Sequence, residues 1–214
     1  MPDPSLNQAR ERLTDGVRKF HREVFPHRRE VYEQVIKEGQ EPDTLFITCA
    51  DSRIDPELIT QSGPGKIFVA RNIGNIVPPY GEMLASISAV IEYAVSALEV
   101  DQVVICGHSD CGAMKGLMHP ESLTKLPTVH RWLGNAQTAL RVAEALGPKV
   151  DEPAFLHHLI EQNVVQQMNH LRTHPSVAGR IAQGNLAVYG WVYDIAAGKI
   201  SAYNEVENRF EEIN

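Results

Sequence analysis

Three short apolar runs constrain this chain more than anything else in it: Thr44–Thr48 (TLFIT), Lys66–Ala70 (KIFVA) and Gln102–Cys106 (QVVIC). Their central residues are apolar one after another and often β-branched, the pattern of strands buried on both faces. Such strands need helices on each side of the sheet. Glu82–Leu98 is apolar at helical spacing and free of proline, and residues 128–147 and 153–172 read as two more helices, divided by Gly147 and Pro148. The alternation predicts an α/β fold with a mostly parallel central sheet flanked by helices. Leu186–Tyr193 and Lys199–Tyr203 read as an antiparallel hairpin on the sheet edge. Ahead of the first strand, Leu13, Val17, Phe20, Val24, Val31 and Val35 recur at helical steps. They predict a helical arm, broken in two at Pro26. No repeat or linker interrupts the chain, so a single domain over 1–214 is expected, with the arm at 1–39 and the α/β core at 40–214.

Composition narrows the function. At 214 residues, 43% of them hydrophobic, the chain can bury an ordinary core. A formal net charge of −7 offers no basic field, so nucleic acid is not an expected partner. No run nears the roughly 20 apolar residues of a membrane span, and the first 20 residues lack a signal-peptide core. A cytoplasmic protein with no membrane partner is the expectation. Three cysteines make a poor disulfide framework and are better read as metal ligands or nucleophiles.

Two strands end in chemically loaded stretches, Cys49-Ala50-Asp51-Ser52-Arg53 and Gly107-His108-Ser109-Asp110-Cys111-Gly112. In open α/β sheets, sites form past the carboxyl ends of strands, so neighbouring strands would bring these stretches together. His108 and Cys111, with two residues between them, can grasp one ion from a strand-to-helix turn, and Cys49 would complete a three-ligand zinc site with a position left for water. Zinc lowers the pKa of such a water to about 7. An HxxC pair alone is a weak sign, and a lone cysteine at a strand end is more often a small buried hydrophobe. The carboxylate two residues after Cys49 tips the balance. Asp51 should share the metal's side with Arg53, which would hold it ionised in a bidentate pair. It then either accepts a hydrogen bond from the water or becomes a fourth ligand. The bland reading is a surface ion pair of little worth. Cys106, inside its strand, reads as core, Asp110 as helix-start charge, and His157, His158, His170 and His174 as surface or packing residues.

CADSR at 49–53 with HSDC at 108–111 resembles the β-class carbonic anhydrase family. FVARNIGNIVPPYG at 68–81, IEYAV at 91–95, CGHSDCGAMKGL at 106–117 and YGWVYD at 189–194 extend the resemblance from about Gln40 to the hairpin. It implies one zinc per chain and reversible hydration of carbon dioxide to bicarbonate by hydroxide generated there. Gln40, Phe68 and Tyr93 match the substrate pocket of the plant-like, open-site style, and Gly112 would lend helix-start amides to the anionic product. The other style carries a tryptophan where this chain has Phe46, although its arginine is matched by Arg71. Plant members often place a histidine four residues beyond the tyrosine. Here Ala97 stands there, leaving Tyr93, buffer or water chains to carry protons. Family protomers pair and lend side chains to each other's sites, so a homodimer or a dimer-based higher oligomer is implied. Relatives that hydrolyse carbonyl sulfide or carbon disulfide share the ligands and form the nearest rival. A non-catalytic zinc or bicarbonate sensor is the rival from another class. A nucleotide-binding protein is disfavoured, because no strand leads into a GxGxxG or phosphate-loop motif.

Overall fold

A computed structural model describes residues 4–81, 86–147 and 151–213. The chain divides after Glu41 into an N-terminal helical unit and a unit from Pro42 onward. In the first, α1 (Pro4–Lys19) and α2 (Phe25–Glu38) are joined by a five-residue π turn, Phe20–Val24. Proline's ring crowds the carbonyl four residues back, and its nitrogen carries no proton. The wider turn, in which the Phe25 N–H reaches the Phe20 carbonyl, accommodates Pro26 in the first turn of α2. The expected break is therefore a bulge. Phe20, Phe25 and Tyr32 form a ring ladder with centroids 6.0 and 5.7 Å apart.

The second unit is a six-stranded sheet in the order β2-β1-β3-β4-β5-β6. Its strands are β1 (Thr44–Cys49), β2 (Ile67–Asn72), β3 (Gln102–His108), β4 (Ala187–Asp194), β5 (Lys199–Asn204) and β6 (Arg209–Glu212). The first four are parallel to one another, and β5 and β6 are antiparallel. The hairpin differs from expectation in one respect. Its first strand lies inside the sheet beside β3, and the edge falls to β6, whose sequence RFEE carries no strand pattern strong enough to read.

The helices of this unit are α3 (Pro56–Thr60), α4 (Ser86–Glu92), α5 (Gly112–Met118), α6 (Pro127–Leu133), α7 (Gln137–Leu146), α8 (Glu152–Leu171) and α9 (Pro175–Ala182). The expected helix 82–98 is α4 followed by a π turn at Tyr93–Ala97, and its first four residues lie outside the described residues, as does Pro148. One large core holds Leu45, Ile47, Val103 and Ile105 from the sheet with Ile160, Val164 and Met168 from α8. Fully burying an aliphatic side chain of this kind contributes about 1.5–3 kcal/mol. The other sheet face packs Phe46, Val104 and Cys106 with Trp191, the Phe46 and Trp191 rings edge to face at 6.0 Å. Burial pushes the Cys106 thiol up to about 12, the state of a packing residue and not of a ligand.

From β1 the chain runs to β2 on one side, then returns to β3 on the other. The carboxyl ends of β1 and β3 thus flank the point where strand order reverses, where open α/β sheets place their sites.

Candidate metal centre

The β1 and β3 registers run side by side, Thr48 opposite Cys106, so Cys49 and His108 end adjacent strands. Three residues further on, after Asp110 turns the chain with φ of 61°, Cys111 caps α5. The two sulfurs and an imidazole nitrogen lie within 4.8 Å of one another, and all three residues are buried. Donors held at about 2.0–2.3 Å from one ion stand roughly 3.3–3.8 Å apart in a tetrahedron, inside that limit.

Nδ1 of His108 lies 2.9 Å from the Ser109 carbonyl, so it carries the proton and donates it there. That leaves the Nε2 lone pair facing the sulfurs, buried and without a hydrogen-bond partner. A buried polar atom in this condition is costly unless something unseen engages it. Carbonyl-fixed imidazoles are the usual second layer of a metal–histidine site. The thiols point the same way. The Cys111 hydrogen bond, chiefly, draws the Cys49 thiol well below its usual value against the opposing effect of burial, with help from the amides of Gly74 and Asp51. Cys111 rises in consequence, from that hydrogen bond first and burial second, although the amides of Ala113 and Met114 address its sulfur. Two touching thiols share one negative charge, whereas a divalent cation would let both ionise. The donor set fits zinc.

Asp51 takes the expected bidentate pair from Arg53, Nε to Oδ1 at 2.9 Å and Nη2 to Oδ2 at 2.8 Å. Arg53 holds the carboxyl well below the usual carboxylate range. The same Oδ2 lies 4.0 Å from His108 Nε2, beside the cluster. Arg53 is gripped from its far side, where Nη1 donates to Asp110 Oδ2 at 3.0 Å and Asp110 also accepts from Lys115. Asp110 is thus an anchor for Arg53, a role its sequence position beside Cys111 did not reveal. Arg71 was a second surprise. It donates to the Cys49 carbonyl at 3.2 Å and the Asp51 carbonyl at 2.6 Å, bracing the turn that carries both side chains.

Phe68 and Tyr93 meet each other, ring centroids 6.0 Å apart, with Tyr93 half exposed. The chain does not bring this pair to its own cluster. Phe68 stands opposite Leu45, four positions before Cys49, which is about 13 Å of strand away from the carboxyl end. Gln40 follows α2 in the N-terminal unit and is exposed. Gly112 opens α5 with empty space where a side chain would stand. Among the other histidines, His174 is buried with Nε2 donating to the Pro78 carbonyl at 3.1 Å, His170 Nδ1 contacts the Val77 carbonyl at 2.8 Å, and His157 and His158 flank Glu161.

Comparison with known proteins matches residues 44–200 to a family model described as carbonic anhydrase. A carbonic anhydrase of Pseudomonas aeruginosa is 44% identical over 92% of this chain and 89% of its own length. One from Synechococcus elongatus is 44% identical over 88% of this chain and 70% of its own. Among solved structures, the β-carbonic anhydrase CcaA superposes with a TM-score of 0.93 at 40% identity, covering 97% of this chain and 93% of that one. A tetrameric β-carbonic anhydrase of Sordaria macrospora gives 0.71 at 28% identity, covering 99% and 98%.

Proposed function

The chain belongs to the β class of the carbonic anhydrase family, and from that premise we propose that it hydrates carbon dioxide reversibly at one zinc ion held by Cys49, His108 and Cys111. The observation that carries the zinc is the buried Cys-His-Cys cluster with an unpartnered imidazole nitrogen turned into it. A zinc ion there supplies Lewis acidity, making water acidic enough to furnish hydroxide near neutral pH. The chain's own residues do the rest. Asp51, kept ionised by Arg53, accepts a hydrogen bond from the attacking water and aims its lone pair at the carbon of carbon dioxide. Open space at Gly112 leaves room for the product beside the start of α5.

Phe68, distant along its strand from this chain's own cluster, and Tyr93 packed against it line the carbon dioxide pocket of a neighbouring protomer, and Gln40 donates to a substrate oxygen there. Protons leave through Tyr93, buffer or water chains, since Ala97 cannot carry them. The enzyme works as a homodimer or a dimer-based higher oligomer in the cytoplasm. The tetrameric Sordaria relatives support the assembly, and no described helix is long and apolar enough to cross a membrane. The test is a carbon dioxide hydration assay on purified protein before and after chelation, run beside Cys49→Ala. Activity should vanish with the metal and return with zinc, and Cys49→Ala should lack both. Full activity in metal-free Cys49→Ala protein would overturn the proposal. Carbonyl sulfide and carbon disulfide, offered in parallel, should turn over far more slowly.

A further inference from the structure

We propose that Asn163 and Gln167, buried on α8, are positioning residues that fix the Gly74 amide against the Cys49 sulfur and so set the donor strength of that ligand. The proposal rests on the zinc reading above and concerns what controls one of its ligands.

The segment after β2, residues 73–80, has no regular structure, so its backbone groups need partners from elsewhere. Side chains supply them. Trp132 Nε1 donates to the Ile73 carbonyl at 2.8 Å, Asn163 Nδ2 to the Gly74 carbonyl at 3.1 Å, and the Val77 N–H donates to Gln167 Oε1 at 2.9 Å. Asn163 and Gln167 also bond to each other, Nε2 of Gln167 donating to Oδ1 of Asn163 at 2.9 Å. The two carboxamides therefore close a circuit across the turn from Gly74 to Val77.

Their placement is the telling feature. Asn163 is 1% exposed and Gln167 0%, on a helix that otherwise buries Leu159, Ile160, Val164 and Met168. Carboxamides in such a face are tolerated only when their polar atoms are engaged. Here the engagement leads to the metal site. The Gly74 N–H donates to Cys49 Sγ at 3.4 Å. Gly74 has φ of +79°, and a Cβ on it would come 3.1 Å from the Ala113 Cβ and 3.3 Å from the Met114 Cε. The turn is wedged against the start of α5, whose Ala113 and Met114 amides address the other sulfur. Both sulfurs thus receive backbone N–H groups. The α5 amides are held by the helix itself, while the Gly74 amide lies in a loop whose position depends on α8. An N–H donor withdraws charge from a thiolate, and outer partners of this kind tune how strongly a ligand binds its metal.

A residue that only stabilised the fold would leave the electronic state of the sulfur unchanged, so the discriminating readout is spectroscopic. The full-length protein is loaded with cobalt(II) in place of zinc, and its sulfur-to-cobalt charge-transfer band is compared with those of Asn163→Leu and Gln167→Met. Losing the Gly74 contact raises the sulfur lone pair, so both bands should move to longer wavelength. A folded, fully loaded Asn163→Leu protein with the wild-type band would overturn the proposal. Should neither variant fold, wild-type protein loaded with cadmium-113 answers instead. The Gly74 amide proton should show scalar coupling to the metal through the sulfur, and a missing coupling refutes the contact. A wild-type protein with no such charge-transfer band would sink the Cys-His-Cys metal site itself, a failure distinct from an unshifted variant.

Discussion

Replacing Gly107 by alanine adds one methyl group between β3 and α8. Its Cβ would sit 2.8 Å from Val164 Cγ2 and 3.2 Å from Ile160 Cγ2. Carbon atoms prefer about 3.5–4.0 Å, so the sheet and helix must part by roughly 0.5–1 Å. Val164 and Ile160 are buried and have nowhere to swing. Overpacking of this size costs about 1–3 kcal/mol. For a chain of this length each kcal/mol lowers the melting temperature by about 2–4 °C, so a fall of roughly 2–12 °C is expected. The assay is thermal unfolding at fixed protein and zinc concentration, since both shift the apparent midpoint. The substitution is next to His108, so zinc affinity should fall as well. A Gly107→Ala protein that melts with the wild type and binds zinc equally well would refute the claim that α8 presses on the sheet at this point.

Asp51→Asn should keep the metal and lose turnover by about 10²–10³-fold across roughly pH 6–9, measured as initial hydration rates. Unchanged rates would remove Asp51 from the chemistry. His174 provides a pH prediction. Burial lowers its affinity for a proton in the folded state, only partly offset by the Pro78 carbonyl. The unfolded chain therefore binds the proton more readily, and stability is full above about pH 6.5 and declines as pH falls below it. His174→Gln keeps a donor for Pro78 but does not titrate, so its urea midpoint should fall less than the wild type's between about pH 7.5 and 5. Equal declines would contradict the assignment.

The features legible in the sequence are those that leave a periodic or chemical mark. β1 and β3 stand out because both faces are buried, which favours apolar residues at their successive central positions. The Cys49, His108 and Cys111 pattern stands out because few other arrangements require those residues at strand ends. What stayed hidden depends on geometry that sequence spacing does not encode. The π turns at Phe20–Val24 and Tyr93–Ala97 shift the helix phase by a fraction of a turn without changing which residue types are used. β6 is an exposed edge where charged residues alternate with one half-buried Phe210. Asp110 and Arg53 are 57 positions apart in the chain, and only the β1–β3 register brings them together. Arg71 stood out in the sequence only as a match to one residue of the other style, and its guanidinium braces the Cys49–Asp51 backbone. Asn163 and Gln167 look like ordinary polar helix positions until their burial is known.

X-ray absorption at the zinc edge of the purified protein reads the proposed centre most directly. It should find one zinc per chain bound by two sulfurs at about 2.3 Å, one imidazole nitrogen near 2.0 Å and one further light atom, with one sulfur lost in Cys111→Ala. A protein that folds and hydrates carbon dioxide with no metal, or with a metal shell that contains no sulfur, would contradict it.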